Sequence, residues 1–151
     1  MRIVNETGAV CVVAMMLVGA GAAQQANPRI GKWKLKQEPP AVNIMTYEAA
    51  GDGGMKVTVD AVSASGQKTH WTYTTMFDGM DAPITGNPNA DSAAVTKKDA
   101  KTNDIVYKKD GKVTQTATNV ISADGKTVTV TFHRTDAQGK PVTTVAVYER
   151  Q

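Results

Sequence analysis

Cysteine is almost absent from the sequence. The chain of 151 residues has a single one, Cys11, inside an apolar stretch near the N-terminus. The remainder therefore has neither a disulfide framework nor a thiol that could serve as a nucleophile. Redox chemistry at sulfur is excluded there, and stability must come from packing, for which one domain of this length is large enough.

Aromatic residues are also few, at 5% of the chain. An outer-membrane β-barrel needs aromatic girdles at its membrane interfaces, so this composition disfavours one. The net charge of +3 is carried mainly by lysines in or beside turns, such as Lys97, Lys98, Lys108, Lys109 and Lys112. Because no aromatic platform accompanies them, these lysines indicate a solvated face, and we expect no nucleic-acid partner.

No apolar run reaches the roughly 20 residues that a transmembrane helix needs. The run from Ala9 to Val18 follows a short segment with Arg2 and precedes small residues at Ala20, Ala22 and Ala23. This order is typical of a secretory signal peptide. We therefore predict a cleaved signal over residues 1–23, one domain over residues 24–151 without a membrane span, and a periplasmic or secreted location.

Catalytic and metal-binding motifs are missing as well. The sequence has no Gly-x-Ser-x-Gly, no His-Glu-x-x-His and no phosphate-binding loop, and no two carboxylates are spaced as an acid and base couple. Its histidines, His70 and His133, alternate with inward positions and should face solvent, whereas a zinc site needs three or four convergent ligands. We expect a protein that is not an enzyme and uses neither a metal nor a cofactor.

The chain beyond Pro28 is instead rich in segments with period-two alternation, containing Val, Thr, Tyr and Trp, with no sustained helical pattern. In one of them Val128, Val130 and Phe132 should face inward and the threonines between them should face water. We predict strands near residues 31–36, 42–49, 55–62, 69–77, 92–97, 104–109, 112–122, 126–134 and 142–149.

Glycine-containing pairs separate these segments and predict tight antiparallel hairpins, because glycine adopts the positive φ that such turns require. The pairs are Gly53-Gly54, Ser65-Gly66, Asp78-Gly79, Asp110-Gly111, Asp124-Gly125 and Gln138-Gly139. Eight or nine strands in this simple order favour a single antiparallel up-and-down β-barrel over a sandwich, because a barrel leaves no exposed edges.

The stretch GKWKLK, residues 31–36, predicts how the barrel begins. Trp33 and Leu35 should point inward and the three lysines outward, and Gly31 should let the chain pass close beneath the barrel floor. With an even strand count, the last strand returns beside the first. Arg150 should then lie against the indole of Trp33, which would plug one end of the barrel.

Gly31-x-Trp33 opening the first strand, with Arg150 closing the last in VAVYERQ, resembles the signature of the lipocalins and the wider calycin group. The run of hairpins is similar to that of small secreted bacterial β-barrel proteins of this lipocalin-like type. The chain has no Thr-Asp-Tyr element, so a smaller relative is implied. The resemblance implies a binding protein that holds or carries a small apolar ligand in the barrel.

Candidates for contact with a ligand are aromatic residues expected on the inner face. Trp71, Tyr73 and Phe77 share one face of a predicted strand, and Tyr107 and Phe132 could lie beside them. The alternative is that these side chains fill the interior, because eight-stranded barrels have room only for side chains or one small ligand. The protein would then be an envelope structural or protein-interaction barrel without a ligand.

The connection over residues 78–91 is the longest in the predicted barrel. In a carrier it should border the open end of the cup, directly after Phe77. We expect the carrier to be a monomer.

Overall fold

The computed structural model describes residues 27–36 and 42–151. The predicted signal peptide, residues 1–23, lies outside the described residues. No helix in the described part of the chain is long and apolar enough to cross a membrane. The strands are β1 (Gly31–Leu35), β2 (Val42–Ala50), β3 (Gly54–Val62), β4 (Lys68–Thr75), β5 (Asp78–Pro83), β6 (Ser92–Lys97), β7 (Thr102–Lys109), β8 (Lys112–Ile121), β9 (Thr127–Thr135) and β10 (Pro141–Arg150).

All ten strands form one antiparallel sheet in the order β4-β3-β2-β1-β10-β9-β8-β7-β6-β5. The two edge strands, β4 and β5, are neighbours in the chain, and the sheet curls until one bridge joins β4 to the segment just after β5. Thr72 and Thr85 exchange backbone hydrogen bonds of 3.0 and 2.9 Å there. The predicted single up-and-down β-barrel is confirmed, nearly closed and with ten strands rather than eight or nine.

The extra strand is β5, where the sequence favoured a loop. The prediction of a strand over 69–77 and a connection over 78–91 is wrong, because β4 ends at Thr75 and β5 begins at Asp78. Asp78-Gly79 has the composition of a hairpin turn. Gly79 does adopt φ 77°, but it lies where the register of β5 against β6 shifts between Asp78 and Asp81. Its positive φ serves a bulge inside a strand.

The other glycine turns and the alternation of the strands agree with the sequence. Gly66, Gly111, Gly125 and Gly139 all adopt positive φ. Along β9, Val128 and Val130 are buried and Phe132 is half-buried, whereas the threonines between them are more exposed. Period two therefore assigned the inner and outer faces correctly.

Because neighbouring strands run in opposite directions, their connections alternate between the two ends of the barrel. One end, which we call the closed end, contains residues 27–31, 51–53, 76–77, 98–101 and 122–126. The other, which we call the open end, contains residues 63–67, 84–91, 110–111 and 136–140. The two ends are built differently, and this difference locates the candidate site.

Candidate functional site in the barrel interior

Trp33 forms the floor of the barrel at the closed end. Its side chain is fully buried, and its indole Nε1 donates a hydrogen bond of 2.8 Å to the carbonyl of Arg29. The guanidinium carbon of Arg150 lies 4.2 Å from the ring centroid, and the two residues are partners in the β1–β10 ladder. The predicted structural pair is confirmed as a cation–π contact.

Arg150 also ties the chain together around that floor. Its guanidinium donates hydrogen bonds to the carbonyls of Pro28 at 2.6 Å, Ile30 at 3.0 Å and Gly125 at 3.0 Å. Gly31 has φ 135°, and a Cβ there would lie 3.0 Å from Nη1 of Arg150. Any other residue would therefore be strained and would crowd the guanidinium. Gly31, Trp33 and Arg150 thus form one structural unit.

A second arginine, Arg29, completes the closed end, and sequence reasoning missed it. Its side chain is buried, and its Nη2 donates to the carbonyls of Lys101 at 2.5 Å and Asn119 at 3.3 Å. With the amide of Asn103 oriented so that its oxygen faces the guanidinium, that oxygen accepts from Nε of Arg29 at 3.1 Å. Arg29 therefore fastens the segment before β1 to β7 and β8, and burial lowers its pKa.

The interior contains all four tyrosines of the chain, each at most 9% exposed: Tyr47, Tyr73, Tyr107 and Tyr148. Burial raises the pKa of Tyr47 to about 12, and burial likewise raises the pKa of the other three above the usual value of tyrosine. The hydroxyls are therefore neutral at physiological pH. They make the interior more polar than the sequence suggested, because a strand pattern treats tyrosine simply as an inward aromatic.

Burial of the inner face changes along the barrel axis. Most inward residues near the closed end are buried, including Met55, Ile121 and Val128, whereas Ala49 is exposed. Toward the open end the inward residues become half-buried: Leu35, Asn43, Ala61, Thr69, Trp71, Gln115, Phe132 and Ala146. Thr144, which faces inward beside Phe132, is exposed. Several inward side chains in this half of the interior, which we call the cup, therefore keep solvent-accessible surface, although Ala93 and Tyr107 there are buried.

Three of the predicted ligand residues lie together on the wall of this cup. Trp71 stacks on Tyr73 with ring centroids 6.0 Å apart and an interplanar angle of 9°. It meets Tyr107 edge to face at 6.4 Å and 88°. Ala82 and Ala93, on the two strands between β4 and β7, are paired with each other and have small side chains. The three rings lie on the inner side of the gap where one bridge, between Thr72 and Thr85, joins β4 to the segment after β5.

The remaining two predicted residues are separated. Phe132 packs against the core from β9, paired with Ala117 and Thr144 near the open end. Phe77 lies at the other end of the barrel, in the connection between β4 and β5, with φ 61° and its backbone N–H donating to Oγ1 of Thr75 at 3.0 Å. The prediction that Phe77 precedes the open-end loop is therefore wrong, because the strand after it places it at the closed end.

The histidines lie outside the barrel. His70 and Asp60 form an exposed pair with Nδ1 and Oδ1 2.6 Å apart, in a groove of about 370 Å³ on the outer face of β2 to β4. His133 contacts Oγ1 of Thr143 at 3.0 Å, beside a groove of about 300 Å³. Among residues 27–36 and 42–151, no three His, Cys, Asp or Glu side chains come together as a metal site would need.

With this geometry, the architecture can be compared with solved structures. The chain is similar to the crystal structure of the wild-type fluorescent protein UnaG, with a TM-score of 0.55 and 16% sequence identity over 81% of this chain and 96% of UnaG. This similarity agrees with the lipocalin-like barrel fold predicted from the sequence. At this identity the likeness shows the fold alone. No family model and no curated protein matches the sequence.

Proposed function

We propose that the protein is an exported, non-enzymatic binding protein that holds or carries a small, mainly apolar ligand in the open end of its barrel. The observation that carries this proposal is the gradient of burial on the inner face. Trp33, Met55 and Val128 near the closed end are buried, whereas Trp71 and Phe132, nearer the open end, are half-buried. An apolar ligand could cover these rings and release the water in contact with them.

The inner wall fits a ligand of this kind. Trp71, Phe132, Leu35 and Ala146 all pack partly buried against the hydrophobic core. Small-molecule sites in proteins are lined mainly by apolar and aromatic side chains, with few polar groups that fix the orientation. Solvent-accessible aromatic surface inside the barrel favours the binding of an apolar ligand. Each Å² of apolar area that the ligand buries stabilises the complex by about 25 cal/mol.

The absence of catalysis is part of the proposal. The buried polar side chains of the interior are the tyrosines, Asn103, Asn119 and Thr75, together with the guanidinium of Arg29. Burial raises the pKa of Tyr47 to about 12, so its phenol stays protonated at neutral pH. General base catalysis needs a group whose pKa lies near the working pH. These residues suit positioning and hydrogen bonding better than proton transfer.

The proposal of export rests only on the signal peptide predicted over residues 1–23. Fractionation of the source cells, followed by N-terminal sequencing of the protein, tests it. We expect the protein outside the cytoplasm, with a mature N-terminus at Ala23 or Gln24. An intact leader on a cytoplasmic protein would contradict export and would leave the binding proposal standing.

A second candidate function rests on the tyrosines. All four are buried among the inward side chains, and Trp71 packs against Tyr73 and Tyr107. A barrel whose interior is occupied by its own side chains would act through its outer surface, as an envelope structural or protein-interaction module. The two candidates differ in one property, which is whether a small molecule enters the open end.

The experiment that separates them begins with the protein as it is purified from its source. Organic extraction and mass spectrometry should recover a bound compound in stoichiometric amount. The extracted protein should then show saturable quenching of tryptophan fluorescence when fatty acids or aromatic hydrocarbons are added. Phe132→Ala should weaken binding, because Phe132 contributes wall area near the open end.

Val120→Ala is the matched control for that variant. Val120 lies on β8 and is 40% exposed, and its position between the inward residues Asn119 and Ile121 places it on the outer face. The substitution should leave binding unchanged. If no hydrophobic compound is recovered and none quenches the fluorescence, the carrier proposal is wrong and the filled barrel is the better interpretation.

A further inference from the structure

One buried oxygen in the barrel interior has no hydrogen-bond donor. Asn119 lies on the inner face of β8 and is only 3% exposed. No group within residues 27–36 and 42–151 donates to its side-chain oxygen, Oδ1. An unpaired buried acceptor costs about 1 to 3 kcal/mol, and such groups in native proteins commonly mark a binding partner or an internal water.

The orientation of this amide follows from its neighbours. Nδ2 of Asn119 donates to the hydroxyl oxygen of Tyr47 at 3.1 Å, and the hydroxyl of Tyr47 donates in turn to Sδ of Met45 at 3.4 Å. Because the only proton of that hydroxyl is directed to the sulfur, its oxygen is free to accept from Nδ2. With the amide in this orientation, the atom of Asn119 left without a partner is the acceptor Oδ1.

Asn119 lies deep in the barrel interior, next to the closed end. Its backbone carbonyl accepts from the buried guanidinium of Arg29, so it lies directly above the closed end. The next inward residue on β8 toward the open end is Ala117, whose side chain is a single methyl group. Nearer the open end, Asn43 on β2 has a second buried side-chain oxygen to which no group of the described chain donates.

We propose that the ligand of the barrel is an aromatic compound carrying a hydrogen-bond donor, such as a hydroxyl or an N–H group, and that Oδ1 of Asn119 accepts from it. This inference rests on the proposed binding function and narrows the class of ligand. An ionised fatty acid has a head group that only accepts hydrogen bonds, so it would leave this oxygen unpaired. The aromatic part matches Trp71, Tyr107 and Phe132, which favour stacked and edge-to-face contacts with another ring.

The test uses a pair of probes that differ in one hydrogen-bonding proton. 2-Naphthol has a hydroxyl donor, and 2-methoxynaphthalene replaces its proton with a methyl group. Equilibrium dialysis at neutral pH measures the Kd of each probe for the full protein. We expect 2-naphthol to bind about 10- to 100-fold more tightly, the range that corresponds to one unpaired buried acceptor.

Asn119→Leu then assigns the preference to its residue. In this variant the preference should fall to less than about threefold, chiefly because 2-naphthol loses its acceptor. Val130→Ala is the matched control, since Val130 is the register partner of Asn119 on β9 and is also buried. It changes the shape of the cavity wall but not its polarity, so both affinities should change together and their ratio should remain. If the leucine variant does not fold, Asn119→Ala removes the same oxygen with a smaller side chain.

The outcomes separate this inference from the function on which it rests. A preference for 2-naphthol that depends on Asn119 supports the inference. Equal binding of the two probes, or a preference unchanged in Asn119→Leu, overturns it while leaving a hydrophobic binding protein. Binding of neither these probes nor any hydrocarbon overturns the proposed function and this inference with it.

Discussion

The two tryptophans of the barrel differ in burial and in hydrogen bonding. At the closed end Trp33 is fully buried, donates a hydrogen bond to Arg29 and has Arg150 over its ring. Toward the open end Trp71 is half-buried and packs against the rings of Tyr73 and Tyr107. One end therefore pairs an indole N–H and two guanidinium groups with carbonyls of the chain, and the other keeps aromatic surface in contact with solvent.

This difference leads us to expect that the closed end contributes mainly to stability and the open end mainly to ligand binding. The closed end gathers the segment before β1 and strands β1, β7, β8 and β10 around two arginines. Changes there should lower the free energy of unfolding. Changes at the open end should alter ligand affinity at a smaller cost in stability. Each of the following substitutions or conditions tests that separation.

Trp33→Ala should have the largest effect. Truncating a buried tryptophan costs about 3 to 5 kcal/mol, which is a large part of the stability of a domain of this size. Urea unfolding followed by circular dichroism measures the loss. Lys34→Ala, on the same strand but facing solvent, should change the free energy of unfolding by less than about 0.5 kcal/mol. Equal stability of the two variants would contradict a structural role for Trp33.

Arg29→Met should lower the free energy of unfolding by about 2 to 4 kcal/mol. The methionine retains part of the apolar stem but removes the hydrogen bonds from the guanidinium to the carbonyls of Lys101 and Asn119. Arg134→Met is the comparison, because Arg134 is exposed on β9 and should tolerate the change. Chemical denaturation of both variants provides the measurement. A harmless Arg29→Met would show that the guanidinium adds nothing to the closed end.

Alkaline pH should destabilise the protein through its buried tyrosines. Tyrosine in the unfolded chain ionises near pH 10, whereas burial raises the pKa of Tyr47 to about 12 in the fold. The folded state therefore holds its proton where the unfolded state releases it. The stabilising contribution is complete below about pH 10 and is lost as pH rises toward 12, by about 1.4 kcal/mol per pH unit for each such tyrosine.

Urea titrations at a series of pH values measure that slope. Tyr47→Phe should reduce the slope of unfolding free energy against pH by about 1.4 kcal/mol per pH unit between pH 10 and 12, the contribution of one tyrosine. This holds whatever the effect of the substitution on stability at neutral pH. The same slope in the variant and in the original protein would show that Tyr47 does not contribute to the alkaline transition.

Trp71→Ala should have the smallest effect on stability and a clear effect on binding. Its stacking with Tyr73 and its edge contact with Tyr107 each contribute about 0.5 to 1.5 kcal/mol beyond buried area. The loss in thermal unfolding should therefore be well below that of Trp33→Ala, while affinity for aromatic compounds falls. If the two tryptophan variants lost equal stability, the open end would be as much a structural element as the closed end.

Much of the fold could be predicted because period two and glycine turns are local signals. Trp33 and Arg150 could be paired from strand parity alone, since an even number of antiparallel strands brings the last beside the first. The strand β5 could not be predicted, because Asp78-Gly79 has the composition of a turn. That Gly79 lies in a bulge depends on how β5 pairs with β6. Because β5 was not predicted, Phe77 was expected at the open end of the barrel, whereas it lies at the closed end.

The polar interior was harder to foresee. Arg29 precedes the first strand, and its partners at Lys101, Asn103 and Asn119 follow more than 70 residues later. Sequence periodicity shows that Asn119 faces inward but not that Tyr47 takes its Nδ2 and leaves Oδ1 without a donor. Such pairings depend on the curvature of the whole sheet, which no local pattern contains.

The most direct test of a ligand entering the open end uses the two indole N–H groups, since the chain has only two tryptophans. In ¹⁵N-labelled protein their signals can be assigned by Trp71→Phe and followed by NMR while 2-naphthol is added. We predict that the signal of Trp71 shifts saturably and further than the signal of Trp33, whose N–H is bonded to the carbonyl of Arg29. A shift confined to Trp33, or no shift in either signal, would contradict binding at the open end.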